Sequence, residues 1–325
     1  MKRLVQMLCI AVGLIFVACI VINKRNTEEI TDRVERTEFK EGLSESGVED
    51  IENLQSASLC PESQEEIDKI GKVTSLKRLD ISLVQGSKET DWDLEPISKL
   101  KNLEELSING GNSDLNTKPL GKLKNLKSLT LEGTDFDISF LAGMEALEEL
   151  YTNRTGGIED LSMLAGLKNL KILDIYSVHE ADLFFLSELE QLEEIEIASG
   201  DIYGFEGLES LSRVKRLKLQ GSCLTDDMPY MDMGVLQNMK GLEELTIGGI
   251  ETGNIESLTG LESLEWVIFV NTGIEDIEPL CKMPHMDTLA IYGNKSKVVE
   301  KQGEQYQAVI RDLQVSDEIP HDFDW

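Results

Sequence analysis

Apolar residues recur along most of this 325-residue chain at one fixed spacing. An apolar residue is followed by a second three positions later, a third three positions after that, and a fourth two positions further on. One copy reads "LKNLKSLTL" at 123–131, and another reads "LESLEWVIF" at 261–269. Ten copies, mostly 22 or 23 residues apart, begin at residues 73, 100, 123, 144, 167, 189, 211, 239, 261 and 283. Such a regular step indicates a repeat architecture.

The spacing within one copy predicts its local structure. The first two apolar residues lie three apart, as on one face of a short helix or turn, and the last two lie two apart, as on one face of a strand. A single unit cannot bury its apolar edge alone, but units stacked about 4.8 Å apart bury it together as a parallel sheet. The predicted fold class is α/β: a curved solenoid with a parallel sheet on its concave face and short helices and turns on its convex face.

This period and pattern resemble the leucine-rich repeats, most closely the 22-residue kind of internalin-like bacterial surface proteins. The segment "TGIEDIEPL" at 272–280 is similar to that family's turn and return segment, and "TDFDISFL" at 134–141 and "GGIEDLSML" at 156–164 are weaker versions. The resemblance covers about residues 59–294. It implies the fold more specifically than the function, because such arrays bind many unlike ligands.

One turn position departs from that family. The family places asparagine three residues after the last apolar residue of the strand, where the amide bonds adjacent coils. Only the last residue of the series found here fits: Thr134, Val178, Gly200, Ser222, Ile250, Thr272 and Asn294. We therefore expect water or hydroxyl groups to satisfy the backbone at those turns.

Sequences on both sides of the array predict caps, which a solenoid needs to close its core. A helix-like segment after Pro61 carries Ile67, Ile70 and Val73. A second apolar helical face is predicted from Tyr306, Val309, Ile310 and Leu313. The predicted domains are a targeting segment at 1–25, an acidic flexible tether at 26–58, the array at 59–294, and a capping helix and tail at 295–325.

The targeting segment has the composition of an export signal. Lys2 and Arg3 precede nineteen residues, 4–22, that are almost entirely apolar and would span about 28 Å as a helix, close to the hydrocarbon thickness of a bilayer. Three fates stay open: an uncleaved signal anchor in the membrane, a lipoprotein signal with lipid attachment at Cys19, or a cleaved signal. Each of them predicts export from the cytoplasm.

Charge narrows the class of partner. The chain has 61 acidic and 31 basic residues, and its formal net charge is −30. Such a surface repels phosphate backbones, so nucleic acid is not an expected partner, whereas a protein or a glycan is. The scattered cysteines do not form a disulfide framework. We expect Cys60, Cys223 and Cys281 to be small buried apolar groups.

The strand register predicts which side chains face the concave surface. In the copy that begins at 261, Val267 and Phe269 point inward, so the intervening residues face outward. An apolar anchor patch for a protein ligand is predicted from Trp266, Ile268, Val270 and Tyr292. Alternatively, the tail with Phe323 and Trp325 covers this patch, or two copies of the chain pair through it.

Other outward positions on the predicted concave face are charged or aromatic. They comprise a basic spot at Arg216 and Lys218, an acidic stretch at Glu194 and Glu196, and exposed aromatic side chains at Tyr151 and Tyr176. We include the basic and the aromatic residues with the anchor patch as candidate ligand-binding residues.

Motifs for catalysis, metals or cofactors are not found in the sequence. None of His179, His285 and His321 lies in a metal-binding or triad-like motif, and we place His179 in a loop between strands. The insertion at 225–234 carries Asp226, Asp227 and Asp232, whose spacing matches no standard calcium loop. We therefore expect no cofactor and no enzymatic activity. Two hypotheses remain: an exported, membrane-anchored module that binds a protein or glycan through its concave face, or an envelope scaffold that associates with itself, for instance as a homodimer.

Overall fold

The computed structural model describes residues 54–83, 92–110, 115–133, 137–153, 160–222, 228–293, 297–316 and 318–319. The predicted targeting segment with Cys19, most of the tether, Cys223 and the tail with Phe323 and Trp325 lie outside these residues. So do Thr134, Asn294, His321 and the first two aspartates of the 225–234 insertion. No helix within the described ranges is long and apolar enough to cross a membrane.

Each of the ten copies places the last two positions of its pattern on a strand of one parallel sheet. The sheet has twelve strands in the order β1-β2-β3-β4-β5-β6-β7-β8-β10-β12-β13-β14. These strands are β1 (Ser56–Leu59), β2 (Arg78–Ser82), β3 (Glu105–Asn109), β4 (Ser128–Glu132), β5 (Glu149–Asn153), β6 (Ile172–Asp182), β7 (Glu194–Tyr203), β8 (Arg216–Gln220), β10 (Glu244–Gly248), β12 (Trp266–Val270), β13 (Thr288–Tyr292) and β14 (Asp312–Ser316). A separate two-stranded sheet pairs β9 (Tyr230–Asp232) with β11 (Glu251–Gly253). The predicted solenoid is confirmed.

Short helices follow most strands and return the chain to the start of the next coil. The α-helices are α1 (Gln64–Ile70), α2 (Glu278–Cys281) and α3 (Lys297–Tyr306). The 3₁₀ helices are Ile97–Lys99, Lys118–Lys122, Ile138–Leu141, Ser162–Gly166, Leu183–Glu188, Phe205–Leu208, Met233–Leu236 and Ile255–Gly260. Aspartates cap several of these segments by accepting a hydrogen bond from the backbone N–H two residues later: Asp93, Asp137, Asp160, Asp182, Asp232 and Asp276. Part of the acidic composition therefore stabilises turns.

The core is one continuous stack of the repeated apolar residues. Leu129, Leu173 and Leu217, for example, are almost fully buried. The neighbouring coils also approach one another closely at Gly207, where an added Cβ would lie 2.0 Å from the carbonyl oxygen of Leu183. The second apolar position of β5 departs from the pattern, because buried Thr152 occupies it.

An asparagine ladder connects the coils, but at a different position from the one that the resemblance implies. The amides of Asn102, Asn125, Asn169 and Asn238 each donate at 2.8 Å to a carbonyl of the preceding coil. At the turn position where we expected water or hydroxyl groups, backbone N–H groups of neighbouring coils satisfy two of the carbonyls, and the Thr252 hydroxyl also donates to one of them, the Thr272 carbonyl, at 3.4 Å. Ser222 N–H donates to the Gly200 carbonyl at 2.7 Å, and Thr252 N–H donates to the Thr272 carbonyl at 3.0 Å.

Both ends of the array differ from the sequence prediction. Residues 56–59, of which all but the last were assigned to the flexible tether, form β1 and pair with β2. The predicted helical face at 306–313 is wrong: α3 ends at Tyr306, Val309 is 67% exposed, and Leu313 lies in β14. The alternation of buried Leu313 with exposed neighbours suits a strand, and β13 offers a free edge for pairing.

The cysteine prediction holds for one residue of the two that can be compared. Cys281 is buried, and burial raises the pKa of its thiol to about 11. Cys60 is exposed, because it follows β1 at the start of the turn into α1, outside the stacked core.

Candidate functional site

The candidate site is the open face of the twelve-stranded sheet, which we define as the side that carries the outward-pointing residues of each strand. Inward and outward residues alternate in burial along β3, β4 and β8, as the pleat requires. The register aligns the outward residues of successive strands into rows. The central row runs from Tyr151 through Asp174 and Glu196 to Lys218. This face is the predicted concave surface.

Half of the predicted anchor patch is accessible. Trp266 is 45% exposed and Ile268 is partly exposed, so these two residues of β12 present apolar surface. Val270 and Tyr292 were expected to be exposed and are buried, which corrects the prediction. We attribute the difference to β14: its Gln314 accepts a hydrogen bond from the Tyr292 hydroxyl, and Tyr292 lies in register beside Val270.

The predicted basic spot and acidic stretch neutralise each other. Lys218 Nζ lies 2.5 Å from Glu196 Oε1, and Arg216 forms an ion pair with Glu194 on the adjacent strand. The Tyr176 hydroxyl also donates to Glu196. Tyr151 and Tyr176 are therefore partly buried residues at the edge of a polar network rather than freely exposed aromatic side chains.

Asp174 lies between Tyr151 and Glu196 in the central row, and its carboxyl has the most strongly shifted pKa among the acids of the open face. Burial raises the pKa of its carboxyl to about 8, the Glu196 charge adds to that rise, and Lys218 opposes it. Its Oδ1 atom is buried and accepts no hydrogen bond within the described structure, and the same holds for Oδ1 of Asn153. The pKa of the Tyr151 hydroxyl is also raised, first by burial and then by Glu149, Glu194 and Asp174.

Sequence reasoning missed Asp174 and Glu149. Both occupy outward positions of the repeat, so the register that singled out Trp266 could have placed them on the same face. The desolvation of Asp174 had no sequence signal, because it depends on which neighbouring side chains cover the carboxyl.

The other candidate residues have structural or undetermined roles. His179 lies on β6 rather than in a loop, and Asp232 caps a 3₁₀ helix while also accepting a hydrogen bond from the Asn254 amide at 2.7 Å.

A recess of about 530 Å³ is lined by Glu243, Glu262, Ser263, Glu265 and His285. Within the described ranges, no group of three or more potential ligands is arranged to hold a metal ion.

A parallel sheet built from stacked 22-residue coils, with capped turns on its other side, is the architecture that defines one class of repeat protein. The chain has the fold of the leucine-rich repeat proteins, as the sequence resemblance implied. Neither the protein families nor the curated proteins that were searched include a match to the sequence.

Among solved structures, the chain is similar to an internalin from Listeria monocytogenes, with 26% identity over 68% of this chain and 69% of that chain and a TM-score of 0.56. It is also similar to the plant peptide hormone receptor RGFR1 in complex with RGF2 (16% identity, 80% of this chain, 42% of that chain, TM-score 0.51). A third is TLR13 in its complex with ssRNA13 (17% identity, 76% of this chain, 37% of that chain, TM-score 0.52). The chain spans less than half of the two receptors, and these likenesses establish the fold alone.

Proposed function

We propose that this chain is a non-enzymatic binding module that holds a protein ligand on the open face of its sheet. The observation that carries the proposal is the exposed pair Trp266 and Ile268 on β12. A tryptophan with nearly half its surface in water, next to an aliphatic side chain on a rigid sheet, is typical of an interface anchor.

The charges on the open face favour a protein over a nucleic acid. Its cations within the described strands are Arg78, Arg216 and Lys218, and each forms an ion pair with a carboxylate of a neighbouring strand. No free basic side chain is left on these strands to neutralise phosphate groups, and the net charge of −30 opposes an approaching polyanion. The RNA in the TLR13 complex is therefore not a guide to the ligand here.

Export and membrane anchoring form the second part of the proposal. It rests on the apolar run at 4–22 with its flanking Lys2 and Arg3. Fractionation of cells that produce the full-length chain tests this part. We expect the chain in the membrane fraction, with its repeats cleaved by protease added outside the cell; full protection of the repeats would contradict export.

A ligand-capture experiment tests the binding surface. The immobilised full-length chain is incubated with extracellular and envelope fractions, captured proteins are identified by mass spectrometry, and the affinity of the purified ligand is measured. We expect Trp266→Ala to weaken binding at least about tenfold, the scale of an interface hot spot. Tyr230→Ala is the matched control, because Tyr230 is 57% exposed on the separate two-stranded sheet. Equal affinities of the two variants would refute the assignment of the face.

One observation favours self-association as a second candidate function. Strand β14 is the last strand of the sheet within the described structure, and the nearby C-terminal residues Val298 and Val309 are 57% and 67% exposed. An edge strand beside apolar surface can pair with a second copy. Sedimentation of the chain over a wide concentration range should then show a reversible dimer, and a monomer at every concentration would exclude it.

A further inference from the structure

The open face of the sheet has more acidic than basic side chains, and its cations are already paired. The three cations named above leave several outward carboxylates without an ion pair in the described structure: Asp80, Glu132, Glu149, Asp174, Glu244 and Asp312. A partner that covers this face must supply positive charge, or these carboxylates lose water without compensation.

Two of these unpaired carboxylates lie at the centre of the face, Glu149 on β5 and Asp174 on β6. The charges that raise the pKa of the Tyr151 hydroxyl are Glu149, Glu194 and Asp174, and among the charged neighbours Arg216 alone lowers it. Arg216 is itself paired with Glu194, so the uncompensated charge belongs to Glu149 and, once the pH exceeds its pKa of about 8, to Asp174. An aromatic ring between two such carboxylates suits a planar cation, which can stack on the ring and pair with an acid at the same time.

Hydrogen-bond acceptors without donors lie in the same place. Oδ1 of Asp174 and Oδ1 of Asn153 are both buried and accept nothing within the described structure. Leaving buried acceptors unpaired is costly. A guanidinium group carries five N–H donors and no acceptor, so it complements these atoms better than a neutral side chain does once the side chains that cover them move aside.

We propose that the centre of the open face, formed by Glu149, Tyr151, Asn153 and Asp174, is a subsite for an arginine side chain of the protein ligand. This inference rests on the proposed function and adds the chemistry of the partner: a basic segment whose arginine lies over β5 and β6 while an apolar side chain contacts Trp266.

The subsite should be sensitive to pH. The Asp174 carboxyl, with its pKa near 8, is largely protonated at neutral pH, and a guanidinium binds the carboxylate in preference to the acid. The charged and titratable groups that face it are Glu149 and Tyr151 on β5, Tyr176 on β6, Glu194 and Glu196 on β7, and Arg216 and Lys218 on β8. Affinity for an arginine should therefore rise severalfold as the pH increases from about 6.5 to about 8.5.

A peptide titration tests the subsite with two capped tripeptides, Gly-Arg-Gly and its citrulline analogue, which has nearly the same shape and no charge. Binding to the full-length chain is followed by NMR at about pH 8.5, where the Asp174 carboxyl is mostly ionised, and at physiological ionic strength. We expect the arginine peptide to bind at least about fivefold more tightly than the citrulline peptide. Asp174→Asn should abolish that preference, and Glu149→Gln should reduce it. Glu190→Gln, which removes one exposed carboxylate outside the strands of the sheet, is the control and should leave the preference unchanged.

Three results would overturn the inference: equal binding of the two peptides, no binding of either up to about 10 mM, or an equal effect of Glu190→Gln and Asp174→Asn. Thermal melts show whether each variant is folded. The outcomes also separate the two proposals. Loss of the arginine preference with Trp266-dependent capture intact would contradict this inference alone, and the reverse result would contradict the proposed function alone.

Discussion

Replacing Thr152 by valine tests the energetics of the stacked core. Thr152 occupies the second core position of β5, where other copies carry Ile, Leu or Phe, and it is 2% exposed. Its register neighbours are Leu131 and Ile175, and its hydroxyl has no hydrogen-bond partner in the described structure. Burying such a hydroxyl costs about 1–3 kcal/mol on the scale of protein mutations. Valine has nearly the same shape, so Thr152→Val should stabilise the chain by about 1–2 kcal/mol.

Urea unfolding followed by circular dichroism measures this difference, provided that the m-value is the same for both proteins. Thr130→Val serves as the control, because Thr130 lies on the neighbouring strand but faces outward, and its effect should stay within about 0.5 kcal/mol. An unchanged or lower stability of Thr152→Val would refute the reasoning, since the hydroxyl would then have a partner or the side chain would not face the core.

Two further changes test the packing of the coils and the burial of the open-face carboxyl. Gly207→Ala would place its Cβ against a backbone carbonyl of the preceding coil and should destabilise the chain by about 2–3 kcal/mol in the same unfolding assay. Gly166→Ala is the control: no atom lies within 4 Å of its added Cβ, so its stability should stay within about 1 kcal/mol of the parent. Similar losses of stability for both variants would contradict close stacking of the coils. The folded state holds a proton on Asp174 up to about pH 8, but the unfolded chain releases it near pH 4. The parent should therefore lose stability relative to Asp174→Asn as the pH rises from about 5 to about 8.5, and a pH-independent difference between their melting temperatures would contradict the burial of this carboxyl.

The fold could be predicted from the sequence because the spacing of the leucines encodes both the turn and the strand of every coil. The same register correctly placed Trp266 on the open face. The register failed for Tyr292, which is covered by the neighbouring strand β14. The apolar spacing of the β14 segment also fits a helix, so its pairing with β13 was not predicted. The asparagine ladder also had a sequence signal, the repeated "KNL" at 101–103, 124–126 and 168–170. We did not predict it, because the family resemblance places the asparagine at a different turn position.

The chemistry of the candidate site was less predictable than the fold. Arg216 and Glu194 were assigned to separate basic and acidic patches, although residues on adjacent strands in one row can pair directly. The state of Asp174 depends on desolvation by burial and on the charges of Glu196 and Lys218 on two other strands, and no local motif records that environment.

Site-specific photocrosslinking tests most directly whether the open face binds the ligand. A photoreactive amino acid is placed at position 268, on the open face, or at position 190, outside the sheet strands, in the full-length chain within the cells that produce it. We predict a discrete protein adduct from position 268 and none from position 190. Adducts from position 190 alone, or equal adducts from both positions, would contradict binding through the open face.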